Sequence, residues 1–147
     1  MSRRAKPAAT VNGVHVNLDE FVTRGRDRLP GLLGIEIESI ENGTARMHLH
    51  LRPELLAPNG YLHAATVVAL ADSACGYGCI ASLPDGATGF TTIELKTNFL
   101  ATALDGTLSC ESRRIHGGRT TQVWDATVTD EAGKTLALFR CTQLLIY

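Results

Sequence analysis

Asp72 carries the only charge in a long apolar stretch and is the first candidate for chemistry. From Leu62 to Leu83 the other residues are mostly small or apolar, which predicts a helix enclosed on every face. A carboxylate left unpaired in such surroundings costs several kcal/mol or has its pKa raised. The segment alone leaves two interpretations open: a structural acid bonded to backbone or to an arginine, and an acid kept for chemistry.

His63 lies nine residues before Asp72, at the predicted start of this helix. A histidine there can bond nearby backbone with its ring, and we favour that interpretation over direct catalysis. His48 and His50 form a second pair of imidazoles, but no third ligand is spaced along the chain to join them. We therefore expect solvated strand histidines, with neither a metal site nor a cofactor.

Composition limits the class of protein. The 147 residues fit one domain with a proper core, and a net charge of −1 gives no electrostatic footprint for nucleic acid. The N-terminal residues have no apolar core behind their charges, and no membrane partner is expected. The four cysteines do not follow a zinc-ribbon spacing, which favours reduced, buried thiols and a cytoplasmic protein. They are Cys75, Cys79, Cys110 and Cys141.

The first part of the chain predicts a leader, a helix and a hairpin. Residues 1–16 are basic and poor in large apolar groups, so we expect a flexible leader before a single domain over 17–147. A helix should start at Asn17 and end at Pro30-Gly31. The strands 33–41 and 44–51 flank Asn42-Gly43, a strong signal for a type I′ hairpin.

The last part of the chain reads as antiparallel hairpins. Long runs rich in Thr, Val, Ile and Leu are separated by glycine-containing turns, and these runs span 89–100, 107–116, 119–129 and 134–146. The fold class expected is α+β, with a curved antiparallel sheet of five to six strands wrapped around the central apolar helix.

From about residue 30 to the end, this arrangement resembles the hotdog-fold acyl-CoA thioesterases, in the branch of the PaaI-like phenylacetate-pathway and 4-hydroxybenzoyl-CoA enzymes. In that branch His-Gly-Gly starts the central helix and an acid follows nine residues after the histidine. Here those positions are His63-Ala64-Ala65 and Asp72. The strings 114–121, 124–125, 130–134 and 137–140 are similar to parts of the last three strands of the family.

The resemblance implies hydrolysis of an acyl-CoA to a carboxylate and free CoA, with Asp72 as base or nucleophile. The first helix amides, at Ala64 and Ala65, would hold the oxyanion. Asp72 lies about 13 Å along the helix from His63, so one chain would not bring both parts together. The resemblance thus implies a homodimer with shared sites, and a dimer of dimers as the usual state.

Other residues receive roles only through the resemblance. Asn59 would orient the carbonyl or a water, although Pro-Asn-Gly is equally good turn chemistry. Thr92 would place a polar group near the acid, with a structural strand threonine as the alternative. CoA phosphates would be bound near the turn at residues 117–118, where a solvated hairpin tip is the alternative. The residues expected there are Arg113, Arg114, His116 and Arg119.

The chain also departs from the family pattern. Ala64 and Ala65 replace the usual glycines and add methyl groups where substrate approaches the backbone, and Ala57 stands where relatives carry Asn or Gln. A non-catalytic acyl-CoA-binding protein is therefore an alternative. An acyl-thioester dehydratase or hydratase is a third, although its Asp-x-Asn-x-x-His string is absent. The acyl slot would be shaped by Tyr61, Tyr77 or Phe99, which the sequence does not rank.

Overall fold

The computed structural model describes residues 9–11, 14–41 and 43–147. Residues 1–8, 12 and 13 of the expected leader, and Asn42 of the expected turn, lie outside the described residues. Within the leader, strands β1 (Ala9–Val11) and β2 (Val14–Val16) pair antiparallel. Regular structure thus begins before Asn17, where the valines at 11, 14 and 16 favour extended backbone.

The remaining elements follow in the predicted order, with a short 3-10 helix at Pro53–Leu55. The helices are α1 (Leu18–Gly25), α2 (Leu29–Leu33) and α3 (Ala64–Ala81). The strands are β3 (Glu36–Glu41), β4 (Thr44–His50), β5 (Gly89–Phe99), β6 (Thr107–Gly117), β7 (Thr121–Thr129) and β8 (Thr135–Ile146).

The predicted single helix from Asn17 to Pro30-Gly31 is wrong at its C-terminal end. Asn17 does cap α1, since its Oδ1 accepts from the Asp19 N–H at 3.1 Å, but α1 ends at Gly25. Pro30 and Gly31 lie inside α2 instead. A proline is tolerated in a first helical turn because the N–H that it lacks would have no intrahelical acceptor there.

Six of the described strands form one antiparallel sheet in the order β3-β4-β6-β7-β8-β5. The two-residue hairpin is confirmed, because Glu41 pairs with Thr44 and Gly43 has a φ of 70°. The expectation that β5 and β6 form a hairpin is wrong. Strand β5 pairs with β8, and β6 lies between β4 and β7, so both edges of β6 are taken. Strand β5 therefore ends the sheet.

The sheet wraps around α3, as the predicted fold class requires. Inward-facing residues alternate along β4, β6, β7 and β8 and pack on the helix. The approach is closest at Gly78, where an added Cβ would lie 2.5 Å from the ring of the fully buried Trp124. A glycine is required here because the indole fills the space that a side chain would need.

The four cysteines are free and buried, as predicted. Burial raises the pKa of Cys79 and of Cys110 to about 12. Their thiols are therefore protonated and act as small apolar groups at neutral pH.

Candidate active site

One side of α3 is left open by the sheet. Ala64 and Ala65 are exposed, and Val68, Ala69 and Asp72 are only half-buried. The expectation of a helix enclosed on every face is wrong for this side, because the sheet in one chain covers only part of the helix circumference. The candidate catalytic residues all lie on or beside this open strip.

Asp72 has neither an arginine nor a backbone N–H as partner among the described residues. Its Oδ1 is buried and accepts no hydrogen bond there. Burial raises the pKa of this carboxyl above the usual value of 3.8, and the Thr92 side chain opposes that shift by hydrogen bonding. The structural interpretation of Asp72, a core acid held by backbone or arginine, is not supported by these contacts.

The Thr92 hydroxyl has one proton and two acceptors nearby. Its Oγ1 donates to Gln143 Oε1 at 2.8 Å, and it is also the side chain that lowers the pKa of Asp72. Gln143 is fully buried, and its Nε2 reaches Cys141 Sγ at 3.4 Å. Asp72, Thr92 and Gln143 thus form a chain of polar groups inside an apolar core.

The start of α3 is capped by His63. Its Nδ1 accepts from the Ala65 N–H at 2.9 Å, while its backbone is extended with φ −68° and ψ 131°. This hydrogen bond engages the Ala65 N–H, one of the two amides expected from the sequence to bind the oxyanion. The Ala64 N–H has no acceptor in the described part of the chain and points out of the first helical turn.

The loop before α3 is a compact turn. Asn59 Oδ1 accepts from the Tyr61 N–H at 3.2 Å, and the Ala57 N–H donates to the Tyr61 carbonyl at 2.7 Å. The Asn59 side-chain oxygen therefore stabilises the turn by accepting this hydrogen bond, as the Pro-Asn-Gly sequence predicts. Asn59 is exposed, so its amide nitrogen faces solvent beside the helix start.

The four residues expected to bind the CoA phosphates do not form one cluster. Arg113 is paired with Glu111 at 2.6 Å, and Glu111 also binds Arg46. Partial burial acts to raise the pKa of Glu111, but Arg113 and Arg46 together hold it below its usual value. Arg114 has the opposite orientation, and its charge acts on Cys79 at the helix.

Around the turn at Gly117-Gly118, three cationic or ionisable side chains remain. Arg114 lies against Gly117, and His116 Nε2 lies 3.0 Å from the position of an added Cβ on Gly118. Arg119 is exposed on the same turn. Neither Arg114 nor Arg119 has an acidic partner among the described residues. Arg114, His116 and Arg119 therefore form a small basic surface at this turn, and Arg113 is not part of it.

The comparisons with known proteins agree with this arrangement. Residues 59–137, from the turn before α3 into β8, match the family model of the thioesterase superfamily. The chain belongs to this superfamily. The 1,4-dihydroxy-2-naphthoyl-CoA hydrolase of Listeria monocytogenes is 37% identical over 110 residues, which cover 75% of this chain and 89% of the relative.

Two further relatives extend the match. The acyl-coenzyme A thioesterase PaaI of Escherichia coli is 30% identical over 109 residues, covering 74% of this chain and 75% of the relative. The crystal structure of a mutant thioesterase PA1618 from Pseudomonas aeruginosa superposes with a TM-score of 0.84 at 25% identity, over 89% of this chain and 94% of that chain. The predicted hotdog fold and the predicted thioester hydrolase activity are confirmed.

Of the three aromatic candidates for the acyl slot of this thioesterase, Tyr77 lines a cavity. Its ring packs on Phe21 with centroids 5.3 Å apart, beside a cavity of about 190 Å³ between α1, α2 and α3. Burial raises the pKa of the Tyr77 phenol. Tyr61 and Phe99 are 59% and 49% exposed. Tyr77 is therefore the most buried of the three candidates.

Sequence reasoning missed Gln143. It occupies the inward-facing register of β8 together with Phe139, Cys141 and Leu145. A glutamine among these inward-facing apolar residues was the available signal. A buried amide is normally hydrogen-bonded, so it indicates a polar partner in the core. Thr92 was already a candidate, but its contact with Gln143 became visible only with the pairing of β5 and β8.

Among the described residues, α3 is the single helix whose length and composition would allow it to cross a bilayer. Half of that 18-residue stretch is buried within the fold. The core helix of a folded domain meets the same criterion, and α3 packs on the sheet.

Proposed function

We propose that this thioesterase hydrolyses aromatic acyl-CoA thioesters, with Asp72 of one subunit acting on a carbonyl bound at the α3 start of a second subunit. The observation that carries this proposal is the buried Asp72 Oδ1, which has no hydrogen-bond partner among the described residues, on a carboxyl whose pKa burial raises. A base works best when its pKa is moved toward the working pH.

In the reaction, ionised Asp72 removes a proton from a water as the water oxygen bonds to the thioester carbon. The carbonyl electrons move onto oxygen, and the oxyanion accepts a hydrogen bond from the Ala64 N–H, aided by the positive end of the α3 dipole. When the carbonyl re-forms, the C–S bond breaks and CoA leaves as a thiolate. That thiolate takes the proton from Asp72, so the products are free CoA and the carboxylic acid, which releases its remaining proton to solvent and becomes a carboxylate.

The same geometry also suits Asp72 as a nucleophile instead of a base. Attack of its carboxylate on the carbonyl would expel CoA and leave a mixed anhydride, which water then hydrolyses. A single turnover in H₂¹⁸O separates the two routes. Label in the released acid supports the base, whereas an unlabelled acid with label in the Asp72 peptide supports the nucleophile.

A second copy is needed because Ala64 and Asp72 are about 12 Å apart along one helix. Strand β5, which carries Thr92, has one edge that pairs with no other strand of the described residues, and large apolar side chains on and just after it are exposed to solvent. Pairing two β5 edges around a twofold axis would cover both the edge and the open strip of α3. The exposed apolar side chains are Ile93 (56%), Leu95 (42%), Phe99 (49%) and Leu100 (59%).

We extend the proposal to a dimer of dimers in the cytoplasm. The outer face of β8 leaves Leu138, Leu144 and Ile146 exposed, an apolar surface that a second dimer could cover. The four free, buried thiols suit a reducing compartment. Light scattering at several protein concentrations measures the molar mass of the assembly. Wild type should reach the mass of a tetramer, whereas Leu138→Lys should stop at the mass of a dimer.

The CoA phosphates are assigned to the basic turn formed by Arg114, His116 and Arg119. Arginine suits phosphate because its guanidinium donates in a fixed fork, and neither of these two arginines has an acidic partner within the described chain. Arg113 is left out of this assignment because Glu111 holds it. Arg113→Gln is therefore a matched control for Arg119→Gln, which should raise KM more than it changes kcat.

The aromatic class is supported by the name of the Listeria relative, a 1,4-dihydroxy-2-naphthoyl-CoA hydrolase. The contact between the Tyr77 and Phe21 rings beside α3 also supports it. The test is thiol release by the purified protein from 4-hydroxybenzoyl-CoA, hexanoyl-CoA and palmitoyl-CoA, with Asp72→Asn in parallel. The proposal predicts the highest kcat/KM for the aryl substrate and a loss of at least ~10²-fold in Asp72→Asn. Equal thiol release by wild type and variant would remove Asp72 from the mechanism.

A further inference from the structure

Glu36, His48 and His50 come together on the outer face of the sheet. His48 and His50 are two residues apart on β4, so they point to the same side, and Glu36 pairs directly with His48 across β3 and β4. Glu36 Oε2 lies 3.2 Å from His48 Nε2. A ligand atom from each of the three residues lies within 4.8 Å of the others.

His50 is also held by a neighbour on β6. Its Nδ1 lies 2.7 Å from the Thr107 hydroxyl oxygen. When that nitrogen carries the ring proton and donates it to Thr107, the lone pair of Nε2 is free for a ligand. Metal-binding histidines commonly donate their second ring N–H to such a partner, which fixes the ring and its tautomer.

The cations nearest to this group are already engaged. Arg46, two residues before His48 on β4, pairs with Glu111 at 2.7 Å. Arg52, two residues after His50, donates to the carbonyls of Leu33 and Leu32 at 2.8 and 3.1 Å. Neither guanidinium pairs with Glu36. Its carboxylate contacts His48, and a metal ion bound between the two would replace that contact.

We propose that Glu36, His48 and His50 form a binding site for a divalent transition-metal ion, with Zn²⁺ as the expected occupant. Two imidazoles and one carboxylate are the donor set of open tetrahedral zinc sites, in which water fills the fourth position. Neighbouring ligand atoms in such a site are about 3.3 Å apart. The Glu36 and His48 atoms already meet that spacing, at 3.2 Å. The His50 ligand atom lies within 4.8 Å of both, so binding an ion requires a further approach of the His50 ring.

The site lies on the face of the sheet opposite to α3. Met47 and Leu49, which alternate with the two histidines, are buried toward the helix. The metal therefore joins β3, β4 and, through Thr107, β6, and it has no direct contact with Asp72. The proposal is independent of the assignment of Asp72, and its failure would leave that assignment unchanged.

The test is calorimetric titration of the full chain, without a polyhistidine tag, with Zn²⁺ and separately with Mg²⁺. We expect one Zn²⁺ per chain and no Mg²⁺ binding, because Mg²⁺ prefers oxygen ligands. His48→Asn and His50→Asn should each weaken Zn²⁺ binding more than ~100-fold, and Thr107→Val about 10-fold, as for a supporting partner. Glu36→Gln should also weaken it.

Glu38→Gln is the matched control, since Glu38 is an exposed acid on the same strand but outside the group. It should leave the Zn²⁺ affinity unchanged. Equal loss in Glu38→Gln and Glu36→Gln, or full binding by His48→Asn and His50→Asn, would overturn the proposal. A Co²⁺ spectrum adds a check, because d–d bands without thiolate charge-transfer bands are expected, and thiolate bands would point to the cysteines instead.

Discussion

The Thr92 hydroxyl lies 2.8 Å from Gln143 Oε1 and is also the side-chain group that lowers the pKa of Asp72. Thr92 stands opposite Gln143 in the pairing of β5 and β8, so sheet register puts both side chains on one face. Because the hydroxyl has only one proton, Gln143 and Asp72 compete for it. The fully buried amide therefore acts on Asp72, the proposed catalytic base, through a shared donor.

This competition predicts opposite pH shifts for two variants. Gln143→Leu frees the Thr92 proton for the carboxylate, so the acid limb of kcat/KM should move to lower pH. Thr92→Val removes the donor and should move that limb to higher pH. Thr92→Val also leaves the buried Gln143 Oε1 unpaired, which costs about 1–3 kcal/mol of unfolding free energy. Thr92→Ser is the control for both effects, and shifts of the same sign in the first two variants would refute the competition.

Asp72→Asn should stabilise the fold at neutral pH while it removes activity. Burial raises the pKa of Asp72 in the folded chain above the usual 3.8, so the folded state binds more protons between the two values. The free energy of unfolding therefore falls as pH rises from the unfolded pKa to the folded pKa. Above the folded pKa, the ionised carboxyl destabilises the fold most. Urea unfolding at fixed protein concentration should show a gain for Asp72→Asn at pH 7.5 that shrinks on acidification.

The control for that comparison is Asp85→Asn, an exposed acid in the turn after α3. It removes the same formal charge without removing a desolvated group. A gain in Asp85→Asn equal to that in Asp72→Asn would assign the effect to net charge, and destabilisation of Asp72→Asn would contradict the unpaired state of the carboxyl.

The His63 ring should contribute to stability as a helix cap. His63→Ala leaves the Ala65 N–H without its acceptor at 2.9 Å and should cost about 1 kcal/mol of unfolding free energy. His63→Asn offers a side-chain oxygen in its place and should regain most of that loss. If His63 were a catalytic residue instead, His63→Asn would regain stability and still be as inactive as His63→Ala.

Much of the fold follows from local sequence signals. The hairpin at residues 42–43 needs a φ that glycine adopts freely, and α3 starts at His63 because its ring caps the helix. The end of α1 was not visible locally. At Gly25 an added Cβ would lie 2.5 Å from the Tyr77 hydroxyl, so the chain turns where another helix approaches.

Long-range pairing explains what sequence reasoning missed in the site. Asp72 stood out because one charge in an apolar run is a local signal. Gln143 and Glu36 gain their roles only from neighbours in space, Thr92 on β5 and His48 on β4. Strand propensity does not say that β5 pairs with β8, so the contact of Thr92 with Gln143 could not be read from the chain. The pairing of β3 with β4 was predicted, but the register shift between Ile37 and Ser39, which places Glu36 opposite His48, was not.

Ala64→Pro tests the helix-start amide without unfolding the helix. Proline lacks the N–H but is accepted at the first helical position, and His63 already has the extended backbone, with ψ 131°, that the residue before proline adopts. Loss of one oxyanion donor should lower kcat by ~10²- to 10³-fold. Ala64→Val keeps the N–H and adds similar bulk, so it separates the lost donor from crowding. Equal activity of the two variants would remove Ala64 from the mechanism.

Mixing the two inactive variants tests whether the site is shared between subunits. In a dimer of one Asp72→Asn chain and one Ala64→Pro chain, one site would combine an intact acid with an intact helix start, and the other would lack both. Unfolding and refolding an equal mixture should therefore regain about a quarter of wild-type activity, because half of the dimers are mixed and each has one working site. Each variant refolded alone is the control. A site built within one chain would give no recovery, since every subunit would then carry a defect.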